Sequence, residues 1–556
     1  MKKAILTAIM IFVLTTLVYA NITKTVEPNG NGDFLTIGEA LSAFSNATDN
    51  WDILVWYDES NYTTYYENNL TWDASNYHIR LISTSDITAT DFDEVAYNSL
   101  YDEEKCIIDA DENGRIFEFI NSHQTSDDVI YGFTLKNANT PEIGGALYYK
   151  REDDFPSGLI INHCIFDNNI ALHSAGLYYE GNLPESNADN LIVANCIFSN
   201  NEMTYVEDDL VEKDWGDPAP IGRRSRYQPT PSTLWIFKTH IQMVNCWFNN
   251  NKFQTTNDIG WQAIASIGLY SPNMNTYGNI TDIDFNNNYM TGFTYHTNND
   301  ILFNITLNHP TITSNVANIR TGDYSTHGDG DNFTTYIKIR DCINLHINNV
   351  EFGDNEYHPM RLLGVIPVLN NIVVDNIYAT RFSSSQWDNQ YYLTLKNSSI
   401  EHVRSTSFIK IISCDIMENS FDNSIFLMPA MYWGYCQQDI DVVIEDCRIY
   451  NNSRGGLATF SNEGKKLNLT VKRCQFYNNS EDGIVNFSIG GYYPQPKAGA
   501  ISIDSPGDII IENSTFVDNS YYNTANTNGL WFSEDFNPEN FHAVNCIFWD
   551  DPGVSG

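Results

Sequence analysis

One seven-residue motif recurs along most of the chain and limits the folds open to it. Its clearest copy is NCIFSNN at residues 195–201. The motif usually has a small residue at its second position, a large apolar residue at its fourth and Asn or Asp at its end. The other copies are HCIFDNN (163–169), NCWFNNN (245–251), DIDFNNN (282–288), NVEFGDN (349–355), SCDIMEN (413–419), DCRIYNN (446–452), RCQFYNN (473–479), NSTFVDN (513–519) and NCIFWDD (545–551). Each copy predicts a short strand with Cys196 and Phe198 on one face. A turn is then expected at Asn201, because Asn accepts the left-handed backbone conformation.

The spacing of the copies indicates how they are assembled. Successive copies lie 27 to 67 residues apart, and the longest intervals contain weaker copies near Asn315 and Asn376. A period of about 20 to 50 residues is typical of stacked repeat arrays. Because the pattern alternates with a period of two and its turns are rich in Asn, it favours a β-solenoid over a helical array. We predict an all-β parallel β-helix of roughly 13 to 16 coils.

A second strand follows the motif in many coils and begins with glycine, as in GGALYY (144–149), GGLATF (455–460) and AGAISI (498–503). Glycine is expected there because the corner before the strand needs backbone freedom. These paired F-x-x-N and G-G-A-[LIV] elements resemble the repeats of chlamydial polymorphic outer-membrane proteins and related surface proteins. The resemblance covers roughly residues 130–550. It implies a right-handed parallel β-helix and very little about chemistry.

The N-terminal 130 residues are expected to enter and cap this array. Residues 1–20 begin with Lys2 and Lys3, continue with an apolar stretch and end in Val-Tyr-Ala, which predicts a secretory signal peptide. No later segment is apolar for the length of a membrane span. Residues 21–130 are predicted to be a cap and irregular first coils, and residues 131–556 the repeats. The sequence shows no evident C-terminal cap.

A short amphipathic helix is predicted within the cap. Thr36 and Glu39 form a T-x-x-E capping box. Apolar residues then recur at helical spacing, at Ile37, Ala40, Leu41 and Phe44. The segment GDFLTIGEAL, followed by the strand DILVWY (52–57), resembles the entry of pectate-lyase-like β-helix proteins. That resemblance supports the cap and implies no chemistry.

The net charge of the chain limits which binding partners it can have. The chain has 30 basic and 70 acidic residues, for a formal net charge of −40. This balance argues against nucleic acid or an anionic membrane as the partner and suits a secreted or cell-surface protein. One insertion, Glu202–Ser232, has an acidic part followed by a basic, Pro-rich part. It is either a solvated loop whose charges pair with each other or part of a binding surface.

Ten cysteines would ordinarily suggest disulfides in an exported chain. Seven of them share one position of the motif: Cys164, Cys196, Cys246, Cys414, Cys447, Cys474 and Cys546. Copies on adjacent coils would have parallel side-chain directions, which is poor disulfide geometry. Buried free thiols are therefore predicted at this position. Cys106, Cys342 and Cys436 lie outside the pattern, so a bridge among them stays open.

The strongest polar cluster is GDYSTHGDGDN (322–332), directly before the strand TYIKIRD (335–341). Asp323, Asp329 and Asp331 are candidate Ca²⁺ ligands, since Ca²⁺ prefers carboxylate oxygens. With Lys338 or Arg340 as a base, the same residues are candidates for lyase chemistry on a uronate polymer. The alternative is an acidic loop without chemistry. The sequence elements expected of polygalacturonases and pectin esterases are absent.

Aromatic residues on or near strands are the remaining candidates for glycan contact; they are Tyr148, Tyr149, Tyr178, Tyr179, Trp235, Trp261 and Trp531. Packing on one another as ladders is the favoured interpretation. From the sequence we expect a binding, adhesion or scaffold module that contacts polysaccharide or cell-surface glycan. The alternative is an extracellular polysaccharide lyase or glycoside hydrolase.

Overall fold

A computed structural model gives the architecture. It describes residues 21–58, 60–74, 77–85, 106–121, 127–150, 158–181, 190–205, 232–237, 239–255, 264–270, 278–286, 288–291, 301–308, 314–321, 334–340, 345–352, 360–364, 370–386, 391–405, 408–417, 425–427, 439–453, 455–460, 466–481, 499–504, 507–521, 529–532 and 536–549. The chain divides into two compact units, Met1–Thr276 with Ile283–Asp300, and Tyr277–Asp282 with Ile301–Gly556.

In the first unit, strands from successive windings pair in parallel and form four columns. The first column is Ile22–Val26, Trp51–Trp56, Ile79–Thr84, Asp127–Tyr131, Gly158–Asn162, Asn190–Ala194 and His240–Asn249. The second is Thr63–Tyr66, Cys106–Asp109, Thr134–Lys136, Ile165–Asp167 and Ile197–Ser199, ending on His240–Asn249. The third is Leu70–Asp73, Phe117–Asn121, Leu147–Lys150, Leu177–Glu180, Ser232–Phe237 and Ile264–Tyr270. The fourth is Asn139–Ile143, Ile170–His173, Glu202–Tyr205, Lys252–Thr255 and Tyr289–Thr291.

The second unit repeats this arrangement in three main columns. The first is Ser314–Thr321, Leu345–Phe352, Asn370–Gln386, Tyr391–Lys396, Phe408–Ile412, Ile440–Glu445, Leu467–Lys472, Ile509–Glu512 and Phe541–Val544. The second is Ser399–Ser405, Asp415–Met417, Arg448–Tyr450, Gln475–Tyr477, Thr515–Val517 and Ile547–Trp549. The third is Ile301–Asn308, Thr334–Arg340, Met360–Gly364, the ends of Asn370–Gln386 and Ser399–Ser405, Ile425–Leu427, Leu457–Phe460, Ile501–Asp504 and Leu530–Phe532.

Four further elements lie outside these columns. Ser480–Glu481 and Ser520–Tyr521 pair with each other, Gly278–Asn286 is divided between the units, and Pro538–Asn540 is a single 3₁₀ turn. The strand pairings of both units are parallel and link one winding to the next. The architecture is therefore an all-β parallel β-helix, as the motif predicted.

The motif positions occupy the core as expected. Phe166, Phe198 and Phe248 are fully buried, and their rings stack with centroids 4.6 and 4.7 Å apart. The thiols beside them, Cys164 and Cys196, are buried and free. Burial raises the pKa of both thiols, so they behave as small apolar groups. Alternate positions along each copy face inward, and stacking identical residues fills each layer of the core.

The turn assignment was wrong by one residue. Asn200 has a φ of 54°, in the left-handed region, whereas Asn201 is not in that region and is fully buried. A second left-handed residue, Asn195 with a φ of 53°, begins the motif. Other copies follow the same rule at Asn168, Asn250, Asn451, Asn478 and Asp518. Each of these copies therefore has two sharp corners, and its last Asn lies inside the coil.

These buried asparagines form a hydrogen-bonded ladder through the coils. The Nδ2 of Asn201 donates to the carbonyl oxygen of Phe166 and to the Oδ1 of Asn251, each at 2.9 Å. Its own Oδ1 accepts from the backbone nitrogen of Asn169 at 3.2 Å and from the Asn169 Nδ2 at 3.0 Å. Both ends of each carboxamide are thus satisfied without water. The pattern repeats at Asn288, Asn452, Asn479 and Asn519.

Glycine at the start of the second strand serves two purposes. Gly144 and Gly455 have φ values of 79° and 88°, which confirms the expected need for backbone freedom. Gly145 and Gly456 instead lie against the next coil. A Cβ on Gly145 would be 2.4 Å from the backbone oxygen of Ala175, and one on Gly456 would be 2.7 Å from that of Ala500. Close approach of the coils excludes a side chain there.

The predicted cap is a helix, Ile37–Phe44, with Thr36 as its N-cap. The Thr36 hydroxyl accepts from the backbone nitrogen of Glu39 at 3.1 Å, and all four predicted apolar residues are buried. Glu67, which the sequence did not single out, accepts from the first two helical amides, Ile37 at 2.8 Å and Gly38 at 2.7 Å. Its carboxylate lies where the helix dipole favours negative charge.

The last described winding has a different environment. Phe548 stacks on Phe516 with centroids 4.7 Å apart, which continues the ladder. However, Phe548 is 51% exposed and Trp549 64%, whereas Phe516 is 2% exposed. Val544 and Ile547 are exposed as well. Within the described residues, no further strand pairs with this winding.

Candidate functional site

The predicted acidic cluster cannot be placed. Asp323, Asp329 and Asp331 lie outside the described residues, as do Cys342, Cys436 and the insertion between residues 206 and 231. The two predicted basic residues are on a described strand. Lys338 and Arg340 belong to Thr334–Arg340, in the third column of the second unit. This strand is where the search for a site begins.

Register places two further basic residues in the row of Lys338. Lys338 pairs with Arg361, Arg361 with Ser383, and Ser383 with Arg404. We call Lys338, Arg361 and Arg404 the basic row. Adjacent strands are about 4.8 Å apart, so the three backbone positions span about 14 Å along the stacking direction.

The basic row comes one strand position after a row that ends in buried residues. The row one position before it runs through Ile337, Met360, Phe382, Val403 and Ile425. Val403 and Ile425 are fully buried, so that row faces the core. Successive residues of a strand lie on opposite faces of a sheet. Alternation therefore predicts that the basic row is on the face away from the core.

Neighbouring charges in the basic row have the same sign, unlike the charged neighbours in other rows. Elsewhere in the described strands, charged neighbours in register repeatedly have opposite signs. Examples are Asp52 with Arg80, Glu202 with Lys252, Asp415 with Arg448, and Lys472 with both Glu445 and Glu512. Several of these close ion pairs, such as Lys472 with Glu512 at 3.1 Å.

Lys338 next to Arg361 is a like-charge pair. The paired segments 337–340, 360–364, 382–386 and 403–405 contain four basic residues and no Asp or Glu. Like charges directly opposite are destabilising by about 0.2–1 kcal/mol. In a chain with a net charge of −40, such a concentration of positive charge is suited to an anionic ligand.

The aromatic candidates form ladders. Tyr149 and Tyr179 stack inside the coil with centroids 4.2 Å apart, and Tyr148 stacks on Tyr178 outside it at 5.3 Å. Tyr178 is 5% exposed and Trp235 6%. Neither offers a free ring face to a sugar, so the ladder interpretation accounts for the described members. Trp261 lies outside the described residues, and Trp531 is half-buried in the last winding.

Polar groups fix the outer ladder in place. The Tyr178 hydroxyl donates to the Oε2 of Glu180 at 2.9 Å, and the Arg115 guanidinium lies 4.6 Å from the centroid of Tyr148. Burial raises the pKa of Tyr148 to about 12, with a smaller contribution from the charge of Glu180. These contacts are structural: the hydroxyls stay protonated and the rings are held against each other.

The described part of the chain offers little else for chemistry. No three His, Cys, Asp or Glu side chains gather there as metal ligands. Cys106 is a buried free thiol, so it forms no bridge in this structure. No helix among the described residues is both long and apolar enough to cross a membrane. The basic row is therefore the candidate site.

Comparison with known proteins agrees with the architecture. Residues 330–495 match a family model described as a right handed beta helix region. The fold is a right-handed parallel β-helix. The match includes the whole basic row, so the candidate site lies on a β-helix segment that both sequence and structure identify. These matches do not confirm the resemblance to chlamydial polymorphic outer-membrane proteins.

Two other comparisons add little to this β-helix. No curated protein matches the chain. Among solved structures, it is similar to the crystal structure of tailspike protein 3 of bacteriophage CBA120, with 10% sequence identity and a TM-score of 0.26. That alignment covers 92% of this chain and 59% of the tailspike, so the chain spans less than two thirds of that protein.

Proposed function

We propose that this protein is an exported glycan-binding β-helix whose basic row holds an acidic polysaccharide. The observation that carries the proposal is the register of Lys338, Arg361 and Arg404 in one row, without an acidic neighbour on the paired segments. A uronate or sulfated glycan carries one negative group every one or two sugars. Such a chain can follow the row along the stacking direction and meet each basic residue in turn.

The choice of basic residues supports this ligand class. Two of the three are Arg, whose planar guanidinium forms paired hydrogen bonds to a carboxylate or sulfate. The protein as a whole repels polyanions, so attraction has to be local. A local attraction of this kind is sensitive to salt, since the Debye length falls from about 10 Å at 0.1 M to about 3 Å at 1 M.

Binding of oligogalacturonate, measured by calorimetry with the mature chain, tests the proposal. Arg361→Gln and Arg404→Gln should each weaken binding about ten- to a hundredfold, because each removes one charge-assisted contact of about 1.5–3 kcal/mol. The matched control is Arg448→Gln, which removes an arginine paired with Asp415 outside the row. Neutral dextran should not bind. Equal affinity of all three variants would contradict the proposal.

The alternative function is a polysaccharide lyase, for which Lys338 or Arg340 would take the proton next to the uronate carboxyl group. It is favoured by the position of that strand, directly after the Asp323–Asp331 run. The same oligogalacturonate, incubated with and without Ca²⁺, separates the two. A lyase produces an unsaturated sugar that absorbs in the ultraviolet, and Lys338→Gln or Arg340→Gln would abolish that product. A binding module produces none and releases the ligand intact.

A further inference from the structure

The turn after the first strand contains a carboxylate that its surroundings leave half satisfied. Glu27 is 5% exposed. Its Oε1 accepts from the side-chain amides of Asn29 and Asn31, the latter at 3.5 Å. Its Oε2 is buried and has no hydrogen-bond partner. Within the described residues, no basic side chain forms an ion pair with Glu27; Lys24 lies 3.5 Å from Asp33 instead.

The turn itself is held by other residues. The Asp33 carboxylate accepts from the backbone nitrogen of Thr25 at 2.9 Å, and the Thr25 hydroxyl accepts from the backbone nitrogen of Asp33 at 2.9 Å. The backbone nitrogen of Glu27 donates to the carbonyl oxygen of Phe34 at 3.0 Å. A carboxylate at Glu27 is therefore not needed to close the turn, and its burial calls for another explanation.

The spacing of the polar residues supplies one. Glu27, Asn29 and Asn31 alternate and are followed by Gly32. The first half of a calcium-binding loop has the same order, with an acidic residue, then Asp or Asn at the third and fifth positions, then glycine. Gly32 has little room for a side chain, since a Cβ would be 3.0 Å from the backbone nitrogen of Glu27, a tight contact. The second half of such a loop is missing, because Gly38 stands where the last glutamate would be.

We propose that Glu27, Asn29 and Asn31 bind a calcium ion at this turn. The side-chain amides of Asn29 and Asn31 now donate to the Oε1 of Glu27, at the position where the cation would bind. Rotating each carboxamide by half a turn directs its oxygen to the same point, which gives a set of hard oxygen ligands. The bare Oε2 then becomes the second oxygen of a bidentate carboxylate. Backbone carbonyls and water complete the coordination.

Calcium binding to the mature chain, measured by equilibrium dialysis after removal of metal with a chelator, tests the site. Glu27→Gln should lose one bound Ca²⁺ per chain relative to the wild type. The matched control is Glu39→Gln, the same substitution at a carboxylate outside the set; its oxygen can still accept from the backbone nitrogen of Leu35. Counting by difference separates this site from any Ca²⁺ held elsewhere, and the outcome is independent of glycan binding.

If Glu27→Gln does not fold, a second variant tests the same site. Asn29→Ala with Asn31→Ala removes both amides and keeps the carboxylate, and it should weaken Ca²⁺ at this site at least tenfold. The proposal is overturned if the wild type binds no Ca²⁺, or if Glu27→Gln binds as many ions as the control. It is also overturned if the double variant retains the wild-type affinity.

Discussion

At the residue scale, the buried asparagines connect each winding to the next through their side chains. Asn201 is fully buried and takes part in four hydrogen bonds that reach both neighbouring coils. A buried polar group is costly only when its partners are missing. The ladder therefore specifies which coils stack in which register, in addition to the strand pairing.

Removing one rung should destabilise the protein strongly. Asn201→Ala leaves the Asn169 amide without its acceptor and the Phe166 carbonyl without its donor. Each unsatisfied group costs about 1–3 kcal/mol, so we expect a loss of about 2–5 kcal/mol in the free energy of unfolding. Urea denaturation measures it. The exposed neighbour Asn200→Ala loses only a solvent-exposed bond to Asp167 and its left-handed preference, and should cost about 1 kcal/mol. Equal losses for the two variants would contradict the role of the ladder.

Stability should also depend on pH through a buried histidine. Burial lowers the pKa of His173 from 6.5 to about 4. The unfolded chain then binds a proton between these values and the folded chain does not, so stability is full above pH 6.5 and is lost as the pH falls towards 4. At pH 5 the loss relative to pH 7 should be about 2 kcal/mol larger for the wild type than for His173→Gln. Denaturation at both pH values measures it. The adjacent Ser174→Gly should keep the wild-type pH dependence.

Asn200 and Asn201 show what the sequence could not predict at the residue scale. The motif predicted a strand, an inward Cys and Phe, and an Asn turn, and these are present at Cys196 and Phe198. It could not tell Asn200 from Asn201, because both have the same side chain. The left-handed φ is a local property, whereas the buried position depends on a carbonyl group of another coil, which the local sequence does not contain.

At the element scale, close stacking of the third column determines which glycines can be replaced. Gly456 and Gly529 each precede a strand of that column, Leu457–Phe460 and Leu530–Phe532. A Cβ at Gly456 would be 2.7 Å from a backbone oxygen of the next coil. At Gly529 the nearest atom would be 3.4 Å away, an ordinary contact. The same repeat position is therefore tight in one winding and open in another.

This difference gives a paired prediction. Gly456→Ala should lower the free energy of unfolding by about 1–3 kcal/mol, because the backbone of the neighbouring coil has to move. Gly529→Ala should be neutral or slightly stabilising, since alanine reduces the entropy of the unfolded chain. Thermal melting of the two variants beside the wild type measures both. Similar melting temperatures for the pair would mean that inter-coil distance is not what selects glycine.

The basic row shows that the sequence alone does not predict which residues of different strands are in register. Lys338 was identified because it follows an acidic run, but Arg361 and Arg404 were not. The intervals between the three residues are 23 and 43 positions, so no fixed period reveals the row. Loops of different length separate the strands, and only the register aligns the residues.

At the scale of the whole molecule, the net charge of −40 opposes compactness. Cross-strand ion pairs offset it only in part, because exposed pairs such as Lys472 with Glu512 are worth about 0–1 kcal/mol. Adding salt screens the repulsion throughout the chain. The sequence was sufficient to predict the fold class, since the repeat occurs in both units. The sequence could not predict which windings carry a site.

Raising NaCl from about 10 mM to about 150 mM should therefore raise the melting temperature by several degrees, because the Debye length shortens to about 8 Å. Differential scanning calorimetry checks it. At pH 5, nearer the pI of 4.4, the net charge is smaller and the same addition should have a smaller effect. A melting temperature that falls with salt at neutral pH would show that specific ion pairs outweigh the general repulsion.

The exposed last winding has a consequence for how the second unit opens. Among the described residues, Phe541–Trp549 pair with a neighbouring winding on one side, whereas windings deeper in the unit pair on two. Fraying should begin there, and its amide hydrogens should exchange with deuterium sooner than those of Leu467–Lys472.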